Sequence, residues 1–108
     1  MEILFASSDV EAAALSESAL AEVFGTSVRK ACQRLCELAA MENLAVAAAL
    51  PMLELTQQAR TPRYSVSVSS THRIFFEPIL DSGATTRSRQ INLASVTAIR
   101  ILALGETP

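Results

Sequence analysis

Three short β-type runs in the last half of this chain constrain its fold most: Tyr64-Ser65-Val66-Ser67-Val68, His72-Arg73-Ile74-Phe75-Phe76-Glu77-Pro78 and Val96-Thr97-Ala98-Ile99-Arg100-Ile101-Leu102. Each is short, rich in β-branched and aromatic residues, and bounded by turn-forming residues. The middle run carries an arginine among apolar neighbours. A guanidinium buried without a partner is costly, so this strand must set Arg73 beside a groove, a carboxylate or a ligand.

The first half has a different texture. Glu2-Ile3-Leu4-Phe5 predicts an opening strand. Ser8-Asp9-Val10-Glu11 has the form of a capping box, which starts a short helix to about Leu15, and Ser16 caps the next one. From Glu17 to about Met41 apolar residues recur at three- and four-residue steps (Leu20, Phe24, Val28, Ala31, Leu35, Leu38), the stripe of an amphipathic helix. Gly25 interrupts it and marks a close approach to the sheet or a break between two helices. Glu42–Val46 adds a last turn before Pro51. Beyond Pro51 the pattern predicts strands at Met52–Leu55, Arg63–Val68, His72–Glu77 and Ser95–Leu104. Loops fall at Gln57–Pro62, Ser69–Thr71 and Asp81–Thr86, with Gly105–Pro108 as a tail. Helices before a run of strands imply a single α+β domain over residues 1–108, with the N-terminal strand and helices packed on one face of a mainly antiparallel sheet.

Half of the 108 residues are hydrophobic, enough for one packed core. The net charge of −2 argues against a generic nucleic-acid binder. The charge is unevenly placed, however. Residues 1–50 hold seven acidic and three basic groups, whereas residues 51–108 hold six arginines against four acids. Arginine as the sole cation of the β half suits phosphate or carboxylate recognition. Cys32 and Cys36 lie four apart on the helical stripe without further metal-ligand partners, and read as small buried hydrophobes in a reducing compartment. One histidine and two cysteines give no zinc site, and three glycines leave no phosphate-cradling loop, so neither metal nor cofactor is expected. Met1–Phe5 lacks the form of a signal peptide, and no run approaches the roughly 20 apolar residues of a membrane span, which points to a cytoplasmic protein.

The segments His72–Pro78 and Val96–Leu102 resemble two strands of the RelE/ParE toxin superfamily, most closely its HigB-like killer-protein branch. There one strand reads aromatic-Arg-Ile/Leu-x-Phe-Glu-Pro and the last reads Val-Thr-Ala-Ile-Arg-Ile. Leu35-Cys36-Glu37-Leu38-Ala39-Ala40-Met41-Glu42-Asn43-Leu44 is similar to that branch's helix end. The resemblance implies a RelE-like sandwich and the toxin of a type II toxin–antitoxin system. Its partner would be a cognate antitoxin, often a helix-turn-helix protein, and its target mRNA on the ribosome. Such toxins cut RNA without a metal. Basic and polar side chains activate the ribose hydroxyl, stabilise the charged phosphorane and protonate the leaving oxygen.

Residue by residue, the carry-over is incomplete. The family's His-Glu-Leu-Lys stretch is Leu53-Glu54-Leu55-Thr56 here, and its C-terminal Asp-Tyr-His has no counterpart in Ala103-Leu104-Gly105-Glu106. Arg73 alone matches a catalytic position. Two roles are open to it: gripping a phosphate in the transition state, or pairing with Glu77 or Glu54 across the sheet. His72 stands beside it but on the opposite sheet face, as side chains alternate, and reads as a filler or turn residue. Tyr64 reads as core. Arg60 and Arg63 flank a loop that is basic in the family, and would contact RNA phosphates or an acidic antitoxin segment. Arg100 would meet such a segment or a sheet carboxylate. The resulting expectation is a toxin with a depleted catalytic set. The alternative is a binding protein of the same fold that acts on another target, or is kept only to bind antitoxin.

Overall fold

A computed structural model describes residues 1–58, 61–79 and 92–106. Strand β1 (Glu2–Phe5) leads into helices α1 (Ser8–Leu15), α2 (Glu17–Phe24), α3 (Val28–Ala40) and α4 (Leu44–Ala48). Strands β2 (Thr56–Gln57), β3 (Tyr64–Ser67), β4 (His72–Pro78) and β5 (Ala98–Glu106) follow. The five strands form one sheet in the order β1-β5-β4-β3-β2. The pair β1–β5 is parallel and the other pairs are antiparallel, so the domain is α+β with a mixed open sheet.

Strand alternation sorts the sheet into two faces. Ile99 and Ile101 of β5, Ile74 and Phe76 of β4 and Val66 of β3 are fully buried, and they cluster with Leu20, Phe24, Ala31, Leu38 and Leu44 of the helices. Their neighbours Arg73, Phe75, Glu77, Arg100 and Ser65 therefore face the other way. Among the described residues no helix covers that second face.

Local sequence explains most element ends. The hydroxyl of Ser16 accepts from Ala19 N (3.3 Å), and Asn43 Oδ1 accepts from Ala45 N (3.0 Å), each satisfying a free donor of a helix start. Gly25, at φ +55°, breaks the long stripe into α2 and α3, a conformation that side chains with a Cβ adopt at a cost.

Several expectations are corrected. Helix α1 is capped by Ser7, whose Oγ accepts from Val10 N (3.2 Å), and Ser8 is its first helical residue. Met52–Leu55 is not a strand. Pro51–Leu53 forms a 3-10 turn with Leu53 fully buried, and Glu54 is left-handed at φ +46°. Pro51 starts that turn readily with its preset φ, and Leu53 N and Glu54 N bond locally to Leu50 O and Pro51 O instead of to a strand. The final strand starts at Ala98 rather than Ser95, because Asn92 caps a 3-10 turn at Leu93–Ser95. Gly105 and Glu106 belong to β5, not to a tail. Of the two cysteines, Cys32 packs against the core but Cys36 is exposed, since the buried line of α3 runs through Ala31, Arg34 and Leu38. Asp81–Thr86 lies outside the described residues.

Candidate functional site

Strand β4 presents Arg73 on the open face because Ile74 and Phe76 occupy the core face. Its guanidinium is held by neighbouring strands. Nε donates to Ser65 Oγ (2.8 Å), and Nη2 donates to Thr56 Oγ1 (3.2 Å), to the Ser65 carbonyl (3.3 Å) and to the Glu54 carbonyl. The left-handed turn at Glu54 delivers that last acceptor. Among the described residues Nη1 has no partner.

Of the two roles open to Arg73, pairing with Glu77 or Glu54 is not made. Glu54 contributes only its backbone oxygen. Glu77 lies four residues along the same strand, about 13 Å away at the usual rise, and directly opposite Arg100 in the sheet. Arg100 Nη1 donates to Glu77 Oε1 at 2.8 Å, so the sheet-carboxylate role read for Arg100 is the one the structure displays.

Arg73 lines a groove of about 650 Å³ together with Arg63, Thr56, Gln58 and Ser65. Phe75, Leu102 and Ala103 supply apolar walls, while Tyr64 and Glu106 complete the lining. The apolar part depends on a β-bulge. Phe75 pairs with Ala103 and Phe76 with Ile101, which leaves Leu102 as the extra residue. Ile101 is buried and Leu104 packs against the core, so the bulge lets both Leu102 and Ala103 line the groove between them.

The predicted residues separate clearly. Arg63 and Arg73 share the groove, Arg100 is outside it, and Arg60 lies outside the described residues. His72 packs its ring on Phe24 of the helical layer, with centroids 5.8 Å apart, and its Nδ1 is 2.8 Å from Thr71 Oγ1. Its Nε2 lies 3.9 Å from Oε1 of Glu106, a residue of the groove lining, though His72 itself does not line the groove. Tyr64 is buried and stacks on Phe76 with centroids 6.2 Å apart and ring planes at 17°. Desolvation pushes its phenol above the ordinary value, so it stays neutral near pH 7.

Arg34 escaped the sequence reading. It is only 5% exposed on α3. Nε donates to the Ser67 carbonyl (2.9 Å), Nη1 to Glu37 Oε1 (2.7 Å) and Nη2 to the Met52 carbonyl (3.3 Å). The signal was present: Arg34 falls three residues after Ala31 and four before Leu38, on the buried stripe. Phe75 was also overlooked as a groove residue, although alternation places it on the face of Arg73.

Chemically, the groove offers two permanent cations, hydroxyls and an aromatic wall. Among the described residues it offers one carboxylate, Glu106, and no histidine or lysine. Three-residue clusters of His, Cys, Asp or Glu that might hold a metal are absent among the described residues. No helix there is long and apolar enough to cross a membrane. The arrangement suits binding of an anionic chain better than acid–base work on it. Fold and site together define an α+β domain with an arginine-lined groove on the open face of its sheet. No family model, no curated protein and no solved structure matches this chain.

Proposed function

We propose that this protein is the toxin of a type II toxin–antitoxin system, with a RelE-like fold of the HigB branch, and that it acts in the cytoplasm on RNA with a depleted catalytic set. The resemblance in His72–Pro78 and Val96–Leu102 supports the family. The observation that carries the site is that Arg63 and Arg73 line one open groove, with Nη1 of Arg73 unpartnered among the described residues. Phosphate oxygens of RNA, or carboxylates of a cognate antitoxin, dock there by charge-assisted hydrogen bonds. Arg73 would also stabilise a phosphorane.

The absence of histidine and lysine from the described groove lining favours weak cleavage, which keeps a non-catalytic binding protein of the same fold as the second reading. Primer extension on mRNA from cells expressing the protein separates the two. Weak or no cuts are expected; strong codon-linked cuts that vanish in Arg73→Ala would overturn the depleted-site reading. Co-purification with the product of the adjacent reading frame tests the antitoxin partner. A neighbour that fails to bind and fails to relieve growth arrest would sink the toxin assignment.

A further inference from the structure

Phe75 is unusually placed for an aromatic residue in a sheet. Its directly paired cross-strand neighbours are small, Ser65 on β3 and Ala103 on β5, with the bulged Leu102 next to Ala103. Aromatic and β-branched partners in those positions would stabilise the ring, and Phe75 is paired with neither. Here the ring is half-buried, lines the groove, and lacks a ring partner among the described residues. It stands two residues from Arg73 on the same face, about 7 Å along the strand.

We propose that Phe75 is a stacking platform for one base of single-stranded RNA whose phosphate is held by Arg73 and Arg63. The inference rests on the RNA-binding reading above and adds a contact to the base. A purely acidic segment would need the cations but not the flat apolar wall. A nucleotide needs both, a π-face next to an anion, and stacking on an aromatic side chain accepts any base.

The chain contains no tryptophan, so Phe75→Trp introduces a single reporter. A short single-stranded RNA oligonucleotide and the same backbone with abasic riboses are titrated into wild type, Phe75→Trp and Phe75→Leu. Wild type is expected to prefer the base-bearing strand by at least about fivefold. Phe75→Leu should lose that preference while keeping its salt dependence and its unfolding midpoint. The indole of Phe75→Trp should be quenched by the base-bearing strand and not by the abasic one. If wild type binds both strands equally, with binding still abolished by Arg73→Glu, the stacking role is overturned and the RNA-binding reading stands. If neither strand binds wild type, the RNA-binding reading fails and the stacking role fails with it. Quenching by an acidic peptide alone would likewise overturn the proposal and move the site to the antitoxin.

Discussion

Arg34 and Arg73 each donate to two backbone carbonyls from opposite sides of one sheet. Arg34 reaches from α3 to the carbonyl of Ser67, the residue paired with Arg73 on the neighbouring strand. Each guanidinium also takes an oxygen from the segment after Pro51, Met52 for Arg34 and Glu54 for Arg73. The difference lies in what surrounds them. Arg34 is sealed between helix and sheet and has a carboxylate, Glu37, so each of its three nitrogens is satisfied. Arg73 opens onto a groove and, among the described residues, has no carboxylate partner and no partner for Nη1. The same side chain is enclosed where water is excluded and only partly bonded where a groove opens beside it. Hydrogen bonding to carbonyls by itself does not distinguish these settings.

The sharpest way to break this comparison is to truncate each arginine. Arg34→Ala removes charged hydrogen bonds in a buried setting and should cost about 3 kcal/mol in urea unfolding. Arg73→Ala, on the open face, should cost about 1 kcal/mol. Equal losses would mean that Arg73 is as structural as Arg34, and the groove would lose its claim to be a site.

Binding should invert the ranking. The double change Arg63→Glu and Arg73→Glu is expected to weaken RNA or antitoxin binding about tenfold or more at low salt, with the affinity of wild type falling as salt rises. Reversing Arg29 and Lys30 on α3 should change it several-fold less. A larger effect from the helix pair, or affinity indifferent to salt, would place the ligand elsewhere.

The smallest effect concerns Tyr64, where the two faces meet: it lines the groove yet stacks into the core on Phe76. It is the sole tyrosine, so phenolate absorbance reports it alone. Its folded value is raised, which means the folded state holds the proton more tightly than the unfolded chain does. The associated stability is fully present below about pH 10, the unfolded value, and is lost as pH rises through the folded value. The absorbance midpoint should fall back to the ordinary range in denaturant. Identical midpoints in both states would show that Tyr64 is wetter than its packing implies.

Periodicity made the architecture legible. The stripe from Leu20 to Leu38 and the alternation of Tyr64–Val68 and His72–Glu77 record which face each residue buries, and Gly25 advertised the break between helices. Met52–Leu55 misled because it is a short, mostly apolar run directly after a helix-ending proline, while the features that decide its path are the fixed φ of Pro51 and one left-handed residue at Glu54. The bulge at Leu102 is a question of pairing between strands, invisible in one run. In the site, Arg73 and Arg63 were legible as cations in a β context. What Arg73 bonds to was not, because two of its four acceptors are backbone oxygens, which every residue carries, and the other two are hydroxyls on strands that only the sheet brings near it. Arg34 was hidden by being counted as charge instead of being placed on its stripe.

The pairing of β1 with β5 has a consequence for how the protein is made. Glu2 lies beside Ala98, and β5 also supplies the partner of β4. At a translation rate of about 5–20 residues per second, the opening strand waits about 5–20 seconds for its neighbour to be synthesised. During that interval the apolar faces of Ile3, Phe5 and Ile74 lack the strand that joins them, and two strand edges stand bare. The nascent chain is therefore exposed to off-pathway association until β5 clears the ribosome, and a helper that shields Glu2–Phe5 would raise the yield of folded protein without touching the finished fold.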